Sequence, residues 1–219
     1  MSIDQRRLMR TYAHSVHMAH NTLTALDQLS GDGDFGDNLC EGLDQVTTAL
    51  DAAPTEPAFT IAARVFLDEV GGTSGPLIGL LFQEIAHALA DHNSEAGWAA
   101  GVREGLAAIQ RVGEAQAGDR TMVDALLPAS DALAAGGDAH ASALAALNGA
   151  KATASLRARR GRASYVGERV LGAPDPGAVG VALLFWSRAK VMEQEPGVLA
   201  DILSAGQGLI PADLDMQGG

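Results

Sequence analysis

Apolar residues recur every three or four positions along most of this chain, and loops rich in glycine, aspartate and proline separate these stretches. Leu77, Leu81, Ile85 and Leu89, for example, fall on one face of a helix. Ala and Leu favour helices and are abundant, whereas aromatic residues, which favour strands, make up only 4% of the chain. The pattern predicts an all-α fold of about eight amphipathic helices, packed antiparallel around an elongated core.

Helix boundaries are expected where caps, glycine pairs or prolines interrupt the apolar pattern. Asp119 is expected to cap the sixth helix, and Asp175 with Pro176 is expected to open the eighth. We place helices over roughly residues 3–27, 37–52, 59–70, 94–114 and 140–157, and further helices beginning near residues 73, 119 and 175.

Charge and cysteine content exclude several classes of protein. The net charge is −12, and no basic stripe of the kind that nucleic acid requires is evident. Cys40 is the only cysteine, which excludes an internal disulfide and a cysteine-based zinc cluster. The N-terminus lacks the apolar run of a secretory signal, and the most apolar stretch, 179–186, is too short to span a bilayer. We therefore expect a single cytoplasmic domain over residues 1–219 that binds neither nucleic acid nor membrane.

An acidic, glycine-rich loop is the most informative stretch for function: residues 26–39 read LDQLSGDGDFGDNL. Asp27, Asp32, Asp34 and Asp37 fall within this loop, and the glycines between them let the backbone turn tightly. Carboxylates held close together repel one another unless a cation lies among them. Mg²⁺ binds carboxylate and phosphate oxygens. The loop indicates either a divalent-metal site or a solvated acidic turn, since Asp and Gly also populate turns for local reasons.

Two helix starts are candidates for holding a nucleotide. The segment GGTSGPLIGLLF, residues 71–82, presents Thr73 and Ser74 before an apolar helix, whose N-terminal amides attract anions. The alternative is that one of these hydroxyls merely caps the helix. The segment AGDRTMVDALLPA, residues 117–129, carries Met122, which suits either a purine face or the core.

Arginines cluster in a third segment, ARRGRASYVGERVLGAPDPGA, residues 158–178. Of the chain's 15 Lys and Arg residues, five lie between Arg157 and Arg169. Guanidinium groups match the oxygens of phosphates and carboxylates, so the cluster indicates an anion site, a partner surface or simple charge balance.

In this order, the four segments resemble the nucleotide-binding L subunit, or L domain, of dihydroxyacetone kinases. The matching stretches run from about residue 23 to residue 180. The resemblance implies an eight-helix barrel of antiparallel amphipathic helices that binds a nucleotide, ADP or ATP, at one end. It implies Mg²⁺-dependent phosphoryl transfer to a small hydroxyketone or sugar-like substrate.

The resemblance also implies roles for individual residues. Two Mg²⁺ ions would be held by Asp27, Asp32 and Asp34. The phosphates would lie near Phe35, Gly36, Asp37 and Asn38, and against Thr73 and Ser74. The base would contact Gly113 and Met122, and the nucleoside would be closed over by Arg162, Asp175, Pro176 and Gly177. No catalytic residue beyond the metal ligands is expected on this chain.

Partners follow from the same resemblance. In the family a separate K-type subunit or domain holds the ketone, so this chain should need one. The phosphoryl donor would be exchangeable ATP, or a tightly held ADP recharged by a phosphotransferase-system protein. A homodimer is compatible with the sequence.

The loop departs from the family pattern Gly-Asp-Gly-Asp-His-Gly-Thr-Asn-Met. Phe35 replaces the histidine, Asp37 a small residue, and Leu39 the methionine. Phenylalanine donates no hydrogen bond, and Asp37 either strengthens cation binding or repels the nucleotide. A second hypothesis therefore stays open: a catalytically weakened module that binds a nucleotide or a lipid and reports to a regulator.

Overall fold

The computed structural model describes residues 2–165 and 170–193. This part of the chain contains eight α-helices, two short 3-10 helices and no strand, which confirms the predicted all-α fold. The α-helices are α1 Gln5–Ser30, α2 Phe35–Ala52, α3 Ala58–Asp68, α4 Ser74–Asp91, α5 Glu95–Gly113, α6 Val123–Ala134, α7 Ala139–Ala152 and α8 Pro176–Val191. The 3-10 helices are Thr153–Ser155 and Arg162–Tyr165.

The helices form a closed ring in chain order. Each helix packs against the next, and α8 packs against α1. Because most connections are short, neighbouring helices run antiparallel. The even-numbered helices therefore begin at the end of the barrel where the odd-numbered helices finish.

Edge-to-face aromatic contacts fill the interior of the ring. Phe82 contacts Tyr12, Phe59 and Phe66, and Trp98 contacts Phe59 and Phe185, with ring centroids 5.2 to 6.4 Å apart. Such rings bury large apolar areas, so this cluster joins five of the eight helices in one core. Within the described ranges, no helix is long and apolar enough to cross a lipid bilayer.

Side-chain caps explain several helix starts. Ser94 accepts a hydrogen bond from the Gly97 amide (3.2 Å), and Asp175 accepts one from the Ala178 amide (2.8 Å). The expected starts near residues 94 and 175 are therefore confirmed.

The sixth helix does not begin at Asp119, so that expectation is wrong. Arg120 has a φ of 61°, in the left-handed region, so a right-handed helix cannot continue through it. The Asp119 carboxylate instead accepts from the Gln116 amide (2.9 Å), and α6 begins at Val123. Asp124 then accepts from the amide of Thr121 (2.9 Å), which closes the turn before the helix.

Two helix ends also differ from the expected boundaries. The first helix continues past Asp27 to Ser30, so Asp27 belongs to its last turn rather than to the loop. The seventh ends at Ala152, where the chain tightens into the 3-10 helix Thr153–Ser155.

Helices α4 and α5 approach closely at Gly101, where a Cβ atom would lie 2.6 Å from Cα of Ile85. We expect Gly101→Ala to lower the free energy of unfolding by about 1–3 kcal/mol, since the obstructing atoms belong to the backbone. Urea denaturation followed by circular dichroism measures this change. Gly113→Ala on the same helix is the matched control, because its Cβ would meet Leu77 at an ordinary 3.6 Å. Equal stability of the two variants would contradict the close approach.

Candidate functional site

One open cavity lies at the end of the barrel where the even-numbered helices begin. Its wall combines the end of α1, the starts of α2, α4 and α8, the end of α5, and the segments before α6 and after α7. Eleven residues singled out from the sequence line it: Asp27, Asp32, Phe35, Asn38, Thr73, Ser74, Gly113, Met122, Asp175, Pro176 and Gly177. Segments distant in sequence therefore meet around a single space.

Asp27 organises the acidic loop between α1 and α2. Its Oδ2 atom accepts hydrogen bonds from the amides of Gly33 (3.0 Å) and Phe35 (3.1 Å). Gly33 has a φ of 86°, a conformation that favours glycine, which lets the chain reverse here. The carboxylate at the end of α1 thus fixes the path of the loop into α2.

The aspartates proposed as metal ligands occupy different positions relative to the cavity. Asp27 and Asp32 line it, whereas Asp34 stands at the N-cap position of α2 without making a capping bond and lies outside the lining. In the described part of the chain, no three His, Cys, Asp or Glu residues come together as a metal-binding group. The donor set still fits Mg²⁺ in its chemistry, because carboxylates of Asp27 and Asp32 and hydroxyls of Thr73 and Ser74 line one cavity.

The start of α4 presents unused hydrogen-bond donors. Thr73 occupies the N-cap position but its side chain makes no capping hydrogen bond. Gly72 precedes it with a φ of 77°, and both residues line the cavity with Ser74. Since capping does not employ the Thr73 hydroxyl, the geometry favours an anion above this helix N-terminus.

An apolar wall faces the cavity from α4, from α5 and from the segment before α6. Leu77, Ile109, Gly113 and Met122 line this side. Met122 is buried, and a Cβ atom on Gly177 would meet its side chain at 3.6 Å. A flat apolar group suits this wall, because aliphatic and thioether side chains pack against either face of such a ring.

The start of α8 brings a carboxylate into the cavity wall. Asp175 caps α8 through Ala178, and its own amide donates to Oγ1 of Thr153 (2.8 Å). The pKa of Asp175 is raised to about 6, chiefly by burial and to a smaller extent by the carboxylates of Asp124 and Asp27. The Ala178 amide and the Arg120 guanidinium act in the opposite direction.

Part of the chain matches a known family model, described as the DAK2 domain, over residues 30–190. The chain belongs to this family. It is 36% identical to the ADP-binding subunit DhaL of PEP-dependent dihydroxyacetone kinase 1 from Listeria innocua, over 82% of this chain and 91% of that protein.

Longer proteins match the DAK2 chain over only part of their length. This chain is 36% identical to triokinase/FMN cyclase from Rattus norvegicus, over 78% of its own length. It is 37% identical to L-erythrulose 1-kinase from Mycolicibacterium smegmatis, over 74% of its own length. It spans only 32% and 31% of these two proteins. The dihydroxyacetone kinase of C. freundii in complex with AMP-PNP and Mg²⁺ superposes with a TM-score of 0.66 at 25% identity, over 89% of this chain and 35% of that one.

The two unusual loop residues of this chain occupy different positions: Phe35 lines the cavity, whereas Asp37 does not. Asp37 bonds to Nε2 of His20 on α1 at 2.6 Å and lies outside the cavity lining. Phe35 is buried, and its ring reaches within 3.2 Å of a Cβ position on Gly180 in α8. Gly36 also lies outside the cavity lining, because it packs closely against Thr24 of α1.

One arginine of the segment 158–178 lines the cavity. Arg160 lines the cavity and pairs with Glu114 at 3.1 Å. Arg162 begins the second 3-10 helix, and its side chain lies outside the described part of the chain, as does Arg169.

Sequence reasoning missed Arg120, a cavity-lining residue that is only 1% exposed. Burial lowers its pKa, and the Asp175 carboxylate opposes this change. The only sequence signal was its place between Asp119 and Met122, which the expected helix start concealed.

Asp175→Asn should raise the free energy of unfolding at pH 8 by about 1–2 kcal/mol, because asparagine also caps helices but carries no charge to desolvate. The raised pKa means that the wild-type protein loses stability as the pH rises from about 4 through about 6. The advantage of the variant should therefore vanish near pH 4. Urea denaturation at pH 4, 6 and 8 measures it.

Asp138→Asn is the matched control for this prediction, since Asp138 caps α7 through the Ala141 amide (2.8 Å) but is exposed. Its stability should follow that of the wild-type protein at each pH. A similar gain in both variants would show that burial of Asp175 is not the cause.

Proposed function

We propose that this chain is the nucleotide-binding component of a dihydroxyacetone-kinase-like enzyme, and that it holds ADP or ATP with Mg²⁺ for phosphoryl transfer. The observation that carries the proposal is the single cavity that unites the acidic loop, the uncapped start of α4, the apolar wall and the start of α8. These are the parts that a magnesium nucleotide needs: oxygen ligands, an anion site, a base pocket and a nucleoside clamp.

The anionic part of the nucleotide belongs beside the acidic loop and the start of α4. Thr73 and Ser74 would donate to phosphate oxygens, together with the amides that open α4. Asn38 lines the same side of the cavity and supplies an amide group. Mg²⁺, held by Asp27, Asp32 and Asp34, would supply charge neutralisation between the carboxylates and the phosphates.

The nucleoside belongs against the apolar wall. Gly113 leaves room at the end of α5, because nothing nearer than Leu77 at 3.6 Å occupies its Cβ direction. Met122 packs on one side, and Asp175 to Gly177 border the opening from α8. Arg162 belongs to the same clamp by the family resemblance.

The acceptor would come from a separate K-type subunit. The DAK2 chain spans about a third of its longer kinase relatives, so the remaining two thirds of those proteins have no counterpart in the matched region. That partner would hold the acceptor, a small hydroxyketone or sugar-like substrate. It would also supply the base that receives the proton of the acceptor hydroxyl. The name of the Listeria innocua relative, PEP-dependent and ADP-binding, supports tightly held ADP recharged by a phosphoprotein over exchangeable ATP.

Asp32→Ala and Asp34→Ala should each weaken Mg²⁺-dependent ADP binding at least about a hundredfold, because loss of a metal ligand leaves phosphate charge uncompensated. Isothermal titration calorimetry with ADP, with and without MgCl₂, measures this effect. Asp44→Ala is the control, since Asp44 bonds to His17 (2.8 Å) on the exposed surface of α1 and α2. Unchanged affinity in both the Asp32 and the Asp34 variants, with far-UV spectra intact, refutes the proposed metal role.

Phe35 is the observation that favours the weakened module as a second function, since its ring brings no polar group to the phosphates. We expect Phe35→His to change phosphotransfer to dihydroxyacetone by less than about tenfold, or about 1.4 kcal/mol, in the presence of a K-type subunit. The reason is that the Phe35 position is buried against α8 near Gly180. A much larger gain in turnover would instead identify the natural chain as a weakened kinase.

A further inference from the structure

A buried arginine forms part of the cavity wall without a carboxylate hydrogen-bonded to it. The Arg120 side chain is 1% exposed, and its Nη2 atom donates to the carbonyl oxygens of Ala173 (2.9 Å) and Val170 (3.2 Å). Its Nε and Nη1 atoms are buried and have no hydrogen-bond partner in the described part of the chain. The Asp175 carboxylate acts on this guanidinium electrostatically but is not hydrogen-bonded to it among the described contacts. Since burying a guanidinium is costly unless an anion pairs with it, a further anion in the cavity would be stabilised by this charge.

The second fully buried arginine shows what such compensation looks like elsewhere in the fold. Arg188 is also 1% exposed, and its Nε and Nη1 atoms likewise lack a hydrogen-bond partner among the described residues. Unlike Arg120, however, it pairs with the Glu95 carboxylate, and its guanidinium carbon lies 5.0 Å from the ring centroid of Trp98. Arg188 stands near the end of α8 and Glu95 at the start of α5, so this pair lies at the barrel end remote from the cavity. The chain itself therefore compensates the charge of Arg188, whereas Arg120 borders a space that a ligand can enter.

The other charges of the cavity define what that ligand is. Asp27, Asp32 and Asp175 line the same cavity, in a chain of net charge −12. A polyanion binds there only if positive charge offsets the carboxylates, and arginine stays protonated even when buried. Arg120 supplies such a charge from beneath the wall, where water screens it little.

We propose that Arg120 is a binding residue for the phosphate groups of the nucleotide, acting through its buried positive charge at the cavity wall. This inference rests on the proposed nucleotide function and adds a residue that the resemblance does not assign. The carbonyls of Val170 and Ala173 hold the guanidinium in place. A nucleoside diphosphate benefits from this charge, and the bare nucleoside does not.

The test compares dissociation constants for ADP, by calorimetry, and adenosine, by NMR titration, both in MgCl₂. Removing the charge in Arg120→Gln should weaken ADP binding about tenfold or more while changing adenosine binding less than about threefold. Glutamine still donates to a carbonyl, so this variant is the one suited to fold, and circular dichroism checks that it does. Arg120→Lys keeps the charge and should retain most of the preference for ADP over adenosine.

Arg188→Met is the matched control, since it removes an equally buried guanidinium at the other end of the barrel. It should lower the melting temperature without changing the ratio of ADP to adenosine affinity. The proposal is overturned if Arg120→Gln weakens both ligands by the same factor, or if the Lys and Gln variants lose the ratio equally. A wild-type chain that binds no ADP overturns the proposed function as well. If Arg120→Gln does not fold, Arg120→Lys tests the proposal alone. Loss of the preference for ADP over adenosine in Arg120→Lys overturns the proposal, and retention of that preference supports it.

Discussion

The alternation of helix direction around the closed ring is the constraint on which the candidate site depends. Because neighbouring helices are antiparallel, α2, α4, α6 and α8 all begin at one end of the barrel. Four helix N-termini, each with partial positive charge, are thereby brought to that end. An acidic chain of net charge −12 can then offer an anion a favourable environment locally, although its overall charge opposes binding. The ring of helices fixes the positions of the loops at this end, and these loops line the candidate site.

Sequence patterns predicted what depends on local chemistry. The helix starts at Ser94 and Asp175 could be predicted because a cap is local: the side chain of one residue accepts a hydrogen bond from the amide three residues later. The site residues could be grouped only through the resemblance, since nothing local tells that Thr73 and Asp175 share a cavity. Arg120 could not be predicted as a site residue for the same reason. Its left-handed backbone and its bonds to Val170 and Ala173, fifty residues away, are decided by tertiary contacts.

Within the described part of the chain, buried charges are paired at the end of the barrel remote from the cavity, but not at the cavity end. Arg188 pairs with Glu95 and lies over the Trp98 ring, whereas Arg120 bonds only to backbone carbonyls among the described residues. Burial likewise keeps the pKa of the Asp175 carboxyl raised. Isolated buried charges lower the stability of a fold, and their presence at one end is typical of a site prepared for a charged ligand. Aromatic packing in the barrel interior and the Arg188–Glu95 pair at the end remote from the cavity offset that cost.

The relatives of the DAK2 chain differ in the acceptors that their names state, yet their similarity to it is uniform. Identity is 36% to the Listeria innocua dihydroxyacetone kinase subunit and 37% to the Mycolicibacterium smegmatis L-erythrulose 1-kinase. If this region selected the acceptor, the match should favour one kind of kinase over the other. The cavity instead contains groups that suit a nucleotide: hydroxyls, carboxylates, an apolar wall and buried arginine. The uniform identity agrees with the proposal that the shared region serves the nucleotide, in which acceptor selection would lie in the parts of the longer relatives that this chain does not match.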